Sequence, residues 1–266
     1  MRKKDMIKGI GASLCALLLA GCAAVPNVGN PPVAPSARYV AMGSSFASGP
    51  GVTLSADFPA TRCTRSRDNY ARQLARLRQL DLVDVSCGGA TSAHLLGPWN
   101  EFAAQIDALT ADTALVTITI GGNDVGYVGR LFMASCNGGG DLPASAAAMC
   151  KGMAARQQAS GASASPPAIP TEATWATLAA SLDRVTTEVR RRAPRARLIF
   201  VDYVTLLPSG ALCPQVPLAA GDAANARATA LRLAQETASA AQRAGADVLR
   251  ASDLSRGHDA CAAEPW

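Results

Sequence analysis

Histidine is almost missing from this chain: among 266 residues there are two, His94 and His258, and no Cys-x-x-Cys pair accompanies them. A metal centre needs several such ligands close together, so no metal is expected. Aromatic residues make up only 5% of the chain. No block of like charge survives outside the N-terminus, which removes the electrostatic footprint of a nucleic-acid-binding protein. No internal repeat is visible. The one long apolar run near the start, Ile10 to Ala20, is too short to cross a bilayer.

What is present begins with that N-terminus. Arg2, Lys3, Lys4 and Lys8 form a basic head before the apolar run, and Leu19-Ala20-Gly21-Cys22 supplies small residues before a cysteine. This is the pattern of a secretory signal. Its end resembles the lipobox of bacterial lipoproteins, which implies an exported, cell-envelope protein acylated at Cys22 and anchored at the outer membrane or periplasmic face. Residues 23–36, with Pro26, Pro31, Pro32 and Pro35, read as a flexible linker. Residues 37–266 are long enough for one domain with a full core. The net charge of +5 misleads, because the first 22 residues hold four basic side chains and one acidic, leaving +2 for the rest. Six cysteines remain in the domain: Cys63, Cys87, Cys136, Cys150, Cys213 and Cys261. An even count in an exported chain argues for disulfides, but leaves about 15 pairings open.

Strand-like and helix-like runs alternate. The strands are expected at Arg38–Met42, Leu82–Ser86, Ala114–Ile120, Arg197–Asp202 and Asp247–Leu249. Ala114–Ile120 is the most β-prone run and reads as a central strand covered on both faces. A helix from Asp68 would bury Tyr70, Leu74, Leu77 and Leu80, and a second would carry Phe102, Ile106 and Leu109. Cys136 to Cys150, with Gly138-Gly139-Gly140, reads as a loop. Ala159 to Pro170 reads as an Ala/Ser/Pro surface excursion. Thr171 opens a long helix striped by Trp175, Leu178, Leu182, Val185 and Val189, and an alanine-rich helix spans about Asp222 to Ala244. Such alternation predicts a three-layer α/β/α sandwich around a parallel five-stranded sheet.

Three glycine-rich turns follow the first three strands. Gly43-Ser44-Ser45 puts Ser45 where an α/β sheet presents an oxygen nucleophile, although a small-residue turn could equally contact a phosphate. Gly88-Gly89-Ala90 offers an unobstructed backbone N–H at Gly89. Gly122-Asn123-Asp124 places the Asn123 amide at the same edge, with Asp124 suited to a helix cap. Together, in that order, these turns resemble the SGNH (GDSL-type) hydrolase family, over nearly all of the domain, with Ser44 where that family usually has Asp. The resemblance implies a flavodoxin-like fold and a monomeric serine esterase or lipase without cofactor. Ser45 would be nucleophile and oxyanion donor, with Gly89 and Asn123 completing the hole. The pattern is most similar to the secreted, disulfide-bonded lipases known from Streptomyces, which implies Cys63–Cys87, Cys136–Cys150 and Cys213–Cys261 pairs.

The resemblance breaks at the end. The family's base lies in an Asp-x-x-His block, and here Ser255-Arg256-Gly257-His258 has serine in place of the acid. Gly257-His258 through Pro265-Trp266 instead is similar to a segment preceding that block. Either the domain is C-terminally truncated and its base lies beyond Trp266, or His258 serves as base. His94 reads as a surface or cleft-lining residue. The alternatives to an esterase are a non-catalytic lipoprotein that keeps the fold as a binding module and, less well supported, a nucleotide binder using the glycine turns.

Overall fold

Five short runs rich in Val, Ile and Leu become five parallel strands in the computed structural model, which describes residues 33–138, 144–159 and 169–266. The strands are β1 (Arg38–Gly43), β2 (Asp81–Asp84), β3 (Leu115–Thr119), β4 (Arg197–Val201) and β5 (Asp247–Leu249). They lie in the order β2-β1-β3-β4-β5, all parallel, so β3 is the middle strand and every one of its residues is buried. The expected second strand, Leu82–Ser86, starts one residue earlier and ends at Asp84. Its pairing nevertheless continues through Val85 N–H to the Ala41 carbonyl (3.0 Å) and Cys87 N–H to the Gly43 carbonyl (3.0 Å).

Side chains alternate across the sheet as its pleat requires. Val40, Met42, Val116, Ile118, Leu198 and Phe200 face one layer, into which α3 (Ser92–Leu96), α6 (Glu172–Arg192) and α7 (Ala220–Arg243) pack. Tyr39, Ala41 and Leu115 face the other layer, covered by α2 (Tyr70–Arg78). The α6 stripe is buried as its spacing predicts. Its Thr171 hydroxyl accepts from Thr174 N–H at the N-terminus, and Arg190, Arg191 and Arg192 crowd the C-terminal turn. Both core clusters lie within the compact unit 32–266, which therefore has what a domain needs to fold by itself.

Local readings fail in three places. On α2, Tyr70 and Leu74 pack against the core beside the buried Ala71 and Ala75, as does Leu80 just beyond the helix, and Leu77 alone of the expected stripe misses it at 80% exposed. Leu77 lies more than a third of a turn off the Ala71–Ala75 line, so it faces solvent while Tyr70 and Leu74 flank the buried face. Residues 102–109 hold no α-helix. Trp99 and Phe102 pair across a tight turn, and Gln105–Ala108 is one 3-10 turn. Cys136 to Cys150 is helical at both ends, with Cys136 in α4 (Tyr127–Asn137) and Cys150 in α5 (Ala144–Ala159), where alanine's helix propensity outweighs the glycine signal. The signal segment with Cys22, the linker up to residue 32, Gly139, Gly140 and residues 160–168 of the Ala/Ser/Pro tract lie outside the described residues.

The six cysteines pair in sequential order, Cys63–Cys87, Cys136–Cys150 and Cys213–Cys261. Three disulfides in one domain belong to an oxidising compartment outside the cytoplasm.

Candidate active site

The first turn depends on what glycine lacks. Gly43 has φ +140°, and a Cβ there would lie 2.3 Å from the Thr119 carbonyl oxygen, so β1 can end against β3 only without a side chain. The buried Gln105 amide then clasps the same residue. Gly43 N–H donates to Gln105 Oε1 at 2.7 Å, and Gln105 Nε2 donates to the Gly43 carbonyl at 3.0 Å. Ser44 turns inward: its N–H donates to the Thr119 carbonyl (2.9 Å) and its hydroxyl meets the Tyr203 hydroxyl at 3.1 Å. Ser45, the next residue, is half-buried and opens the short helix α1 (Ser45–Ser48). Among the described residues, neither its hydroxyl nor its N–H has a hydrogen-bond partner.

The second turn is anchored to the first by Cys87 N–H on the Gly43 carbonyl. Gly88 N–H donates to the Cys63 carbonyl at 2.9 Å. Gly89, at φ +86°, is exposed and its N–H donates to nothing among the described residues. The Trp99 ring roofs it, 3.2 Å from where a Cβ would stand.

The third turn reaches both others. Asn123 Nδ2 donates one hydrogen to the Ala90 carbonyl at 2.8 Å, which fixes the carboxamide and leaves its second N–H available. Asp124 is a cap, but of a neighbouring helix rather than its own: its carboxylate accepts from Ser92 N–H at 3.0 Å and from the Ser92 hydroxyl at the start of α3. Gly122 N–H donates to the Tyr203 hydroxyl at 2.9 Å, and a Cβ on Gly122 would lie 2.7 Å from that oxygen. Burial pushes the Tyr203 phenol up to about 12, so it stays protonated at neutral pH. Each turn is thus bonded to the other two, and Ser45, Gly89 and Asn123 stand on one rim.

A model of the GDSL-like lipase/acylhydrolase family matches residues 41–266. The chain belongs to that family. Lipase 2 of Streptomyces coelicolor is 34% identical over 233 residues, covering 86% of this chain and 74% of that protein. The crystal structure of an extracellular lipase from Streptomyces rimosus superposes with a TM-score of 0.60 at 27% identity, covering 86% of each chain. That of a phospholipase A1 from Streptomyces albidoflavus gives 0.64 at 24% identity, over 87% of this chain and 86% of the other, and shares the fold. Ester hydrolysis is the general chemistry of the GDSL-like family.

In this GDSL-like chain the two histidines are engaged differently. His94 lines a cavity of about 400 Å³ together with Trp99, Phe102 and Val85. Its ring stacks on Trp99 with centroids 4.2 Å apart, while the Arg62 guanidinium sits 3.7 Å from the Trp99 ring centre. His94 Nδ1 accepts from Thr91 N–H at 3.0 Å, which puts the proton of the neutral ring on Nε2. Burial lowers its pKa and the Asp124 charge partly offsets this. His258 has the opposite arrangement. Its Nδ1 lies 2.8 Å from the Glu264 carbonyl, which can only accept, so Nδ1 carries the hydrogen and Nε2 keeps its lone pair. The ring stacks on Trp266 at 4.3 Å, and no hydrogen bond joins it to Ser45.

Tyr203 and Gln105 were absent from the sequence reading. Tyr203 carried a weak signal, standing two residues beyond β4 at the functional edge of the sheet. Gln105 carried none.

Proposed function

We propose that this protein is a serine esterase in which Ser45 attacks the carbonyl carbon of a carboxylic ester. The oxyanion formed would be received by Ser45 N–H, Gly89 N–H and the free N–H of Asn123. Collapse expels the alcohol and leaves an acyl group on Ser45 Oγ, which water then removes. The observation that carries the reading is a set of donors on the rim that, among the described residues, have no acceptor, beside a serine hydroxyl that likewise has no partner.

Of the two histidines, His258 is the candidate for the base, because Nδ1 on the Glu264 carbonyl leaves Nε2 of the neutral ring with its lone pair, whereas His94 presents a hydrogen there. A fluorophosphonate probe should label the wild type and not Ser45→Ala; equal labelling of both overturns the assignment of the nucleophile. Asn123→Ala should lower kcat on p-nitrophenyl acetate by about 10²–10³-fold. His258→Ala should fall by about 10⁴-fold while His94→Ala stays near wild type, and the reverse result would remove His258 from the mechanism.

For location, the reading adds acylation at Cys22 and attachment at the outer membrane or periplasmic face. Loss of radiolabelled palmitate incorporation in Cys22→Ser tests the anchor. A monomer is expected, with gel filtration as the check.

A further inference from the structure

The segment between α1 and α2 exposes Val52, Leu54 and Phe58 at 56%, 72% and 101% of their full accessible surface. Single exposed hydrophobics are ordinary, but three large ones within seven residues mark a contact surface. A side chain as bare as in an isolated peptide, as Phe58 is, must protrude. The segment is nonetheless well held. Ser55 and Ser66 form an antiparallel bridge, with Ala56 N–H on the Arg65 carbonyl (2.8 Å) and Arg67 N–H on the Leu54 carbonyl (2.9 Å). The Thr53 and Ser66 hydroxyls meet at 2.9 Å, Arg65 pairs with Asp57 at 3.0 Å, and Cys63 is crosslinked to Cys87. A tip this well braced is ordered before it binds, so binding costs little conformational entropy.

Positive charge surrounds it. Residues 51–80 contain Arg62, Arg65, Arg67, Arg72, Arg76 and Arg78 against Asp57 and Asp68, and of these arginines Arg62 is paired with Glu101 and Arg65 with Asp57. Arg67, Arg72 and Arg76 line an open groove of about 400 Å³ together with Ala56, which lies between Leu54 and Phe58 in the chain. Asp68 engages Arg76 and Asp84 engages Arg72, while Arg67 donates to the Ser55 carbonyl and Arg78 has no ion pair among the described residues.

We propose that the protruding tip and the arginine groove form a docking surface for an anionic lipid bilayer. Leu54 and Phe58 enter the acyl boundary, and Arg67, Arg72 and Arg76 receive lipid phosphates. A stable protein partner would need a patch of roughly 800 Å², more than three protruding side chains supply, whereas insertion into a bilayer needs only a tip and adjacent cations. The surface is coupled to the rim: Ser66 N–H and Asn69 Nδ2 both donate to the carbonyl of Ser48, the last residue of α1 (2.8 and 3.3 Å). The binding itself is independent of the esterase reading.

The test uses residues 32–266 floated with vesicles of phosphatidylcholine alone or mixed equally with phosphatidylglycerol. Binding is expected to the anionic vesicles, weaker binding to the neutral ones, and release from the anionic ones as salt rises to about 0.5 M. Phe58→Asp and Leu54→Asp should each reduce partitioning about tenfold. Arg67→Gln with Arg76→Gln should reduce it about fivefold per arginine on anionic vesicles only. Leu231→Asp, on exposed α7 surface, should bind like the wild type. Circular dichroism melts check that each variant is folded, and fluorophosphonate labelling without lipid should be equal in all of them. Absent labelling with retained vesicle binding would sink the esterase reading alone. No binding to anionic vesicles, equal binding to both vesicle types, or tip variants that bind like the wild type overturns the docking surface. So does a wild-type dimer in gel filtration that Phe58→Asp dissociates.

Discussion

Tyr203→Phe removes one oxygen that the first and third turns share. Tyr203 is 7% exposed, so water cannot replace that oxygen easily. Gly122 N–H loses its 2.9 Å acceptor inside the protein, at a cost of roughly 1–3 kcal/mol, and the 3.1 Å bond to Ser44 is worth about 1 kcal/mol more. Ser44 keeps only a 3.5 Å contact with the Thr119 carbonyl. The expected loss is therefore about 2–4 kcal/mol. A domain of roughly 230 residues loses about 2 °C per kcal/mol, so Tm should drop by about 4–8 °C in a scanning calorimeter. Because Ser45 follows Ser44 and Asn123 follows Gly122, the freed turns should also lower kcat by roughly 10- to 100-fold with KM little changed. The packing of the ring on Phe46, at 4.7 Å, survives the change, so lost apolar contact cannot account for the effect. A double-mutant cycle with Ser44→Ala should give a coupling of about 0.5–1.5 kcal/mol. A Tm within about 1 °C of wild type, or strictly additive single effects, would refute the shared-oxygen account.

Gly43→Ala combines a strained φ with a Cβ 2.3 Å from the Thr119 carbonyl, and should cost roughly 2–6 kcal/mol in urea unfolding. Removing the Cys213–Cys261 bridge by a double substitution to alanine releases a loop spanning 48 positions; loop entropy predicts a loss of about 4 kcal/mol, and a reductant should lower the wild type's Tm too. His94 should make stability sensitive to acid. Its folded pKa lies below the ordinary histidine value near 6.5 because burial disfavours the charged ring, so the unfolded chain binds the proton first. Stability should be full above about pH 6.5 and decline as pH falls toward the folded value; urea midpoints at pH 7.5 and 5 should differ less in His94→Ala.

The strands and the two long helices were legible because their signals are local. β3 is an unbroken β-prone run, and the α6 stripe repeats at helical spacing from Trp175 to Val189. Leu77 misled because alanine can form a buried face as well as leucine, and hydrophobicity alone ranks it below. Phe102, Ile106 and Leu109 have helical spacing by coincidence, in a segment that Trp99 and Phe102 close into a turn. Ser45, Gly89 and Asn123 could be proposed as site residues because each sits in a turn of its own. The residues that hold those turns together could not. Tyr203 is 159 positions from Ser44 and Gln105 is 62 from Gly43; Tyr203 offers only its place just beyond β4, and Gln105 has no local pattern to betray it.

The ties among the three turns close on themselves: Gly43 to Cys87, Ala90 to Asn123, and Gly122 through Tyr203 to Ser44. In a closed circuit, freeing any member means parting from two neighbours at once, so the rim opens as one cooperative unit rather than by fraying from an end. The amide protons of Ser44, Cys87 and Gly122 would then trade with solvent deuterium together, at a single rate set by that shared opening.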